Sequence, residues 1–200
     1  MIRRMVADLA ARLAGHGAEQ GADVEVHALR GFRVEVQNSR PDIATHDVLA
    51  RLDESLALIE RYAPWRLRHL RRDLRHIAVV RFPCRGAYFP DERVCVTELT
   101  FLARRDITAA PVAASILHEG VHARVDRMGV RRDDRDRARE ERLCRRAELA
   151  FGRALPPELG APVIERALAS LALVDADVAP AIDWAEASQR QSAIDRAAGR

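Results

Sequence analysis

The sequence predicts one α+β domain, in which a small and mostly antiparallel sheet packs against helices and the C-terminal half is predominantly helical. Two hairpin-like pairs of apolar/polar alternating stretches lie among longer segments with helical periodicity, an order that favours α+β over a parallel α/β sheet. The chain has 200 residues, 48% of them hydrophobic, which suffices for one core. We therefore expect a single domain over residues 1–200, with its core at about 45–155 and C-terminal helices within 158–196.

The N-terminal part predicts a helix followed by a β-hairpin. Apolar residues recur every four positions within residues 1–15, which is typical of a helix with one buried face. Residues 23–29 and 32–36 then alternate apolar and polar side chains around Arg30-Gly31, which indicates two antiparallel strands joined by a tight turn.

The middle of the chain predicts two helices and two further strands. Helical spacing runs over 45–62, and a second helix follows Pro64 with an outward belt of arginines. Residues 76–82 and 93–99 predict strands, and 86–91 is interpreted as their connection. We interpret the strand at 93–99 as an edge strand that could pair with an extended substrate.

The remaining sequence predicts helices. A helix over 108–128 is expected to end at Gly129, since glycine is the usual residue after a helix C-terminus. A second helix over 137–155 is halted by two prolines, and two more are expected at 158–174 and 178–196.

Composition excludes several function classes. All 33 cationic residues are arginine, so lysine Schiff-base chemistry is impossible, and the net charge of +3 does not suggest nucleic-acid binding. No run approaches the roughly 18–20 apolar residues of a membrane span, and Asp8 and Arg12 interrupt the N-terminal apolar run, so we expect a cytoplasmic chain. Cys84, Cys95 and Cys144 are too scattered for a disulfide framework.

The segment that carries chemistry is His118-Glu119-Gly120-Val121-His122, within the helix predicted at 108–128. Histidines four residues apart project from one helix face and can bind a single ion. Glu119 lies beside that face, where its carboxylate can reach a water molecule at the metal.

A third ligand is expected on the next helix, because a catalytic zinc ion usually has three protein ligands and one open position. Glu141 follows His122 after 18 intervening residues, enough for a turn that brings the next helix alongside. Spacing favours Glu141, while the apolar stripe of that helix also allows Glu140.

The pattern HExxH, eighteen residues, Glu resembles the gluzincin branch of zinc metallopeptidases over residues 108–151. The resemblance implies a zincin-like fold, a Zn²⁺ ion bound by His118, His122 and Glu141, and Glu119 as the catalytic base. A looser similarity links the glutamate-rich helix at 139–151 to bacterial metallopeptidases that cleave repressor proteins, although the connecting loop here is shorter.

Other residues near the motif have two interpretations each. Glu148 and Asp126 could accept hydrogen bonds from the metal-binding histidines or form surface ion pairs. Cys144 could bind a soft ion or simply pack as a small hydrophobe. His76 and Tyr88 are candidates to stabilise an oxyanion opposite the metal.

The sequence thus predicts a zinc-dependent metallohydrolase that cleaves a peptide or amide bond in a peptide or protein substrate. The alternative is a zinc-binding regulatory or repressor-cleaving stress-response protein with little general protease activity. Neither interpretation involves nucleic acid or a membrane.

Overall fold

The computed structural model describes residues 24–130, 134–179 and 183–197, so the predicted N-terminal helix at 1–15 lies outside the described residues. Within them the fold is α+β, as expected, with a small five-stranded sheet. The strands are β1 Val24–Leu29, β2 Phe32–Gln37, β3 His76–Val80, β4 Gly86–Phe89 and β5 Val94–Glu98, and they lie in the order β1-β2-β3-β5-β4.

The predicted hairpin is confirmed. Strands β1 and β2 pair antiparallel, and Arg30 and Gly31 between them both adopt positive φ angles, of 45° and 79°. Two successive positive φ angles match the right-handed twist of the flanking strands in a two-residue turn. Arg30 tolerates this conformation while its guanidinium is bound by Asp53 and Glu60 of the following helix.

The sheet is mixed, so the expectation of mostly antiparallel pairing is wrong. Strands β2 and β3 pair in parallel, as do β3 and β5, while β1–β2 and β4–β5 are antiparallel. Residues 86–89 form strand β4 rather than part of a connection, and β5 lies between β3 and β4. The interpretation of 93–99 as an edge strand is therefore wrong: β5 pairs with β3 on one side and β4 on the other, and β4 is the edge strand. Local patterning does not encode this order.

The described helices follow the predicted order, with two short additions. They are α1 Thr45–Tyr62, α2 Pro64–Asp73, α3 Leu99–Ala103, α4 Ala109–Arg127, α5 Asp134–Ala154, α6 Pro157–Leu171, α7 Asp175–Val178 and α8 Trp184–Ala197. The short helices α3 and α7 were not predicted, and the helix expected at 178–196 corresponds to α8, which begins at Trp184. None of the described helices is long and apolar enough to cross a lipid bilayer.

Helix α4 is the centre of the fold and packs against α1, α2, α5, α6 and β4. Its ends are encoded locally: the Thr108 hydroxyl accepts from the amide of Ala110 at 3.4 Å, and Gly129 has a φ of 70° just beyond the C-terminus. The amide of Val130 bonds the carbonyl of Val125, which completes a Schellman motif. Because neighbours surround α4, its apolar side chains are buried on several faces rather than along one stripe.

The sheet separates two apolar clusters. Residues such as Ile77, Val79 and Cys95 face the helices and belong to the main core. Their neighbours Ala78 and Val96 lie on the opposite face in a smaller buried cluster. The main cluster therefore holds α4 against the sheet and fixes the helix that carries both motif histidines.

Candidate metal centre

The two motif histidines lie side by side on α4. Their Nε2 atoms are 3.2 Å apart and their ring centroids 5.0 Å apart. His118 is buried, whereas the side chain of His122 is 15% exposed. This follows from the i, i+4 spacing, which stacks the two imidazoles over successive turns of one helix face.

Helix α5 brings Glu141 to both histidines. Its carboxylate oxygens lie 3.2 Å from His118 Nε2 and 3.3 Å from His122 Nε2. The Glu141 side chain is 20% exposed, so the point where the three groups meet is reached from solvent. The structure thus places together the three residues that the sequence predicts as metal ligands.

Glu148 and Glu140 lie behind the histidines rather than among the donors. Glu148 Oε1 is 2.6 Å from His118 Nδ1, and Glu140 Oε1 is 2.5 Å from His122 Nδ1. An ionised carboxylate only accepts, so each Nδ1–H donates to its glutamate, and each Nε2 atom would turn its lone pair to an ion once it loses its own proton. A carboxylate on the outer imidazole nitrogen is the usual partner of a metal-binding histidine.

Cys144 is a fourth possible donor at this point. Its Sγ lies 3.6 Å from His122 Nε2, and the residue is fully buried. The donor atoms of His118, His122 and Cys144 all lie within 4.8 Å of one another, so this group could hold a metal ion.

The donor separations fit a tetrahedral ion. Zinc–nitrogen and zinc–oxygen bonds of about 2.0–2.1 Å place tetrahedral donors about 3.3 Å apart. The nitrogen–nitrogen separation is 3.2 Å, and each nitrogen lies 3.2 or 3.3 Å from a different oxygen of the Glu141 carboxylate, which therefore spans the two imidazoles. Two imidazoles and a carboxylate are also a ligand set that zinc accepts.

The electrostatics of the cluster favour positive charge at the Nε2 atoms. Burial opposes protonation of His118, but hydrogen bonds with Glu141 and Glu148 raise its pKa to about 10. Burial also opposes charge on His122, yet Cys144 and the neighbouring glutamates raise its pKa well above the ordinary value. Burial likewise raises the pKa of Glu141, but the two imidazoles outweigh it and lower that pKa. A divalent cation at the same point would be stabilised by the same negatively charged side chains.

Glu119 lies on the side of α4 that faces strand β4. It is 8% exposed, and within the described part of the chain its side chain makes no hydrogen bond or ion pair. Its negative charge contributes, after burial, to raising the pKa of the Cys95 thiol, and it also raises the pKa of His118.

Gly86 of β4 allows the sheet edge to approach Glu119. A Cβ at this position would lie 3.4 Å from Glu119 Cγ, 3.2 Å from Ser115 Oγ and 3.2 Å from the Val96 carbonyl oxygen. The sequence analysis did not single out Gly86, because it assigned this segment to a connection. An isolated glycine within a possible strand is the signal that could have identified it.

The contacts of the remaining candidates, Tyr88, Asp126 and His76, are with residues other than the two motif histidines. The Tyr88 hydroxyl donates to Asp126 Oδ2 at 3.0 Å, so these two residues bind each other across β4 and α4. His76 lies 3.5 Å from Glu35, and its strand neighbour Ile77 faces the helices, so His76 points to the opposite face of the sheet. His76 therefore does not face the metal cluster.

No family model, curated protein or solved structure matches this chain.

Proposed function

We propose that the protein is a zinc-dependent hydrolase that cleaves a peptide or amide bond. The observation that carries the proposal is the meeting of three donors, His118, His122 and Glu141, at separations that suit a tetrahedral ion. These donors come from two helices, so their convergence is a property of the fold rather than of the motif alone. The gluzincin resemblance supports the same assignment.

Each nearby residue has a distinct part in the proposed reaction. Zinc, when bound, supplies Lewis acidity that lowers the pKa of water and polarises the scissile carbonyl. Glu119 accepts the proton of the attacking water and delivers it to the leaving amine. Glu148 and Glu140 hold the two imidazoles in the orientation and tautomer that presents Nε2 to the ion.

The edge strand β4 supplies a place for an extended substrate. Among the described strands, β4 pairs with β5 alone, so its outer backbone groups can bond another strand. Gly86 and Tyr88 of β4 face α4, which sets that edge beside Glu119. A peptide added to β4 would run past the proposed catalytic carboxylate.

A second candidate function is a zinc-binding regulatory or repressor-cleaving protein with little general protease activity. The observation that favours it is Cys144, which joins His118 and His122 in a group that could hold a metal ion. Cysteine is a frequent ligand in zinc sites that have no open position. The two functions share one metal centre and differ in whether that centre turns over substrate.

Zinc content and peptide cleavage together test the proposal. Purified protein is assayed for metal by mass spectrometry and for cleavage of a tryptic peptide library from bacterial cytosol. We expect about one zinc per chain in the wild type and loss of that zinc in Glu141→Ala. Glu119→Gln should keep zinc and lose at least about 100-fold in cleavage rate.

The exposed Glu158→Gln is the matched control and should retain both properties. A wild-type protein that binds no zinc would refute the metal centre. Zinc binding with no cleavage by the wild type would instead favour the regulatory function.

A further inference from the structure

The sulfur of Cys144 lies at the distance from His122 that a further zinc ligand would have. With zinc–sulfur bonds of about 2.3 Å and zinc–nitrogen bonds of about 2.05 Å, a tetrahedral ion separates sulfur from nitrogen by about 3.6 Å. Cys144 Sγ is 3.6 Å from His122 Nε2. The thiol therefore matches the tetrahedral spacing that His118, His122 and Glu141 also match.

Its place on α5 explains why Cys144 reaches this point. Cys144 follows Glu141 by three residues and precedes Glu148 by four, so the three side chains lie on one face of the helix. Glu148 positions His118 from behind, and Glu141 and Cys144 face the Nε2 atoms. The helix thus presents one carboxylate and one thiol to the same pair of imidazoles.

Charge also favours thiolate coordination. Glu141 and a Cys144 thiolate together carry two negative charges, which a zinc ion neutralises, and a neutral centre suits a site that is largely buried.

We propose that Cys144 is a ligand of the resting metal centre, so that the ion is bound by His118, His122, Glu141 and Cys144. This inference rests on the proposed zinc centre and adds a way in which that centre is regulated. Four protein donors leave no position for water, so the resting site is closed. Hydrolysis then requires that the thiolate leave the ion, which makes the enzyme latent until Cys144 is displaced.

The absorption spectrum of the protein loaded with Co²⁺ reports the ligand set directly, without any measurement of activity. Tetrahedral Co²⁺ gives visible d–d bands whatever its donors, whereas a near-ultraviolet charge-transfer band requires a thiolate ligand. We expect both features in Co²⁺-loaded wild type. Cys144→Ser should lose the charge-transfer band and keep the visible bands, and Cys84→Ser, the matched control, should keep both.

The outcomes separate this inference from the proposed function. Visible bands without a charge-transfer band in the wild type would overturn the role of Cys144 and leave the hydrolase proposal intact. Absence of visible bands at saturating Co²⁺ would overturn both. Because the wild-type spectrum decides the matter, the test does not depend on how well the serine variant folds.

A closed resting site has a second consequence. If Cys144 blocks the water position, Cys144→Ser should raise the rate of peptide cleavage relative to wild type at equal zinc content, while Cys84→Ser should not. An equal or lower rate in a zinc-loaded Cys144→Ser protein would contradict the latent state.

Discussion

Glu148 of α5 binds the outer nitrogen of His118 on α4, with 2.6 Å between Oε1 and Nδ1. Glu148 is 2% exposed and also accepts from Arg145 at 2.7 Å. Burial raises the pKa of Glu148, but His118 and Arg145 outweigh it, so its pKa is lowered and the carboxylate stays ionised. The contact joins two helices through a charged pair that sets the orientation of a proposed ligand.

We expect Glu148→Gln to weaken zinc binding by about 10- to 100-fold, because the amide no longer holds His118 in one tautomer through a charged acceptor. Competition with a chromophoric chelator measures the affinity. The exposed Glu165→Gln serves as control and should bind zinc as the wild type does. Equal affinities for wild type and Glu148→Gln would contradict a supporting role for this carboxylate.

Zinc should stabilise the folded chain, because its donors converge only when α4 and α5 are packed together. At free zinc 100 times the dissociation constant, the free energy of unfolding should rise by about 2.7 kcal/mol, and a chelator should reverse the gain. Denaturant titration with and without zinc measures it. His122→Ala should abolish the gain, while His46→Ala, whose side chain is 83% exposed, should keep it.

Gly86→Ala should impair catalysis while sparing the metal. The added Cβ would lie 3.2 Å from the Val96 carbonyl oxygen and 3.2 Å from Ser115 Oγ, so β4 must move away from its neighbours by a few tenths of an ångström, while Glu119 Cγ at 3.4 Å is in ordinary contact. A misplacement of about 1 Å can cost about 100-fold in rate, so this smaller shift should cost roughly 10-fold or less. Cleavage of the peptide library and zinc content are measured together. Ala87→Ser, on the opposite face of the same strand, is the control; a fully active Gly86→Ala would argue against Glu119 at this edge.

Asp73 should make stability depend on pH. Burial raises its pKa, but Arg72 and Arg124 outweigh burial and lower it below the ordinary value of 3.8. Because the carboxyl has a lower pKa in the folded state than in the unfolded chain, it stabilises the fold at pH values above the pKa of the unfolded chain. That stabilisation is lost as the pH falls through the pKa of the folded state. Asp73→Asn should therefore reduce the free energy of unfolding at pH 7 by about 1–3 kcal/mol.

The difference between wild type and Asp73→Asn should shrink in acid, below about pH 4, where the wild-type carboxylate begins to be protonated. Denaturant titrations at several pH values follow it. The exposed Asp91→Asn is the control and should show no such trend. A difference that stays constant from pH 7 to strongly acidic solution would contradict the assignment.

Local sequence was sufficient for much of the helical architecture. Helix α1 spans the predicted residues 45–62, and α4 begins after Thr108 and ends before Gly129, as its capping residues indicate. Capping and periodicity act within one or two turns of a helix, so they can be recognised without knowledge of the fold. The same locality explains why His118 and His122 share a face.

Strand order could not be obtained in this way. The segment at 86–89 is short and contains a glycine, which favours a connection, yet it forms the edge strand beside α4. Pairing of β5 with β3 in parallel joins segments whose partners are decided by the packing of the whole sheet.

The sequence by itself determined which side chains could serve as donors, because their types and their helical spacing are local properties. Only the tertiary structure decided which of those side chains lie at the Nε2 atoms and which lie at the outer nitrogens of the histidines. Glu140 and Glu141 are adjacent on α5 and point about 100° apart, so the way α5 docks on α4 selects Glu141 for the Nε2 atoms and Glu140 for the outer nitrogen of His122. The same docking carries Cys144 into the cluster, because one helix face holds both the carboxylate and the thiol.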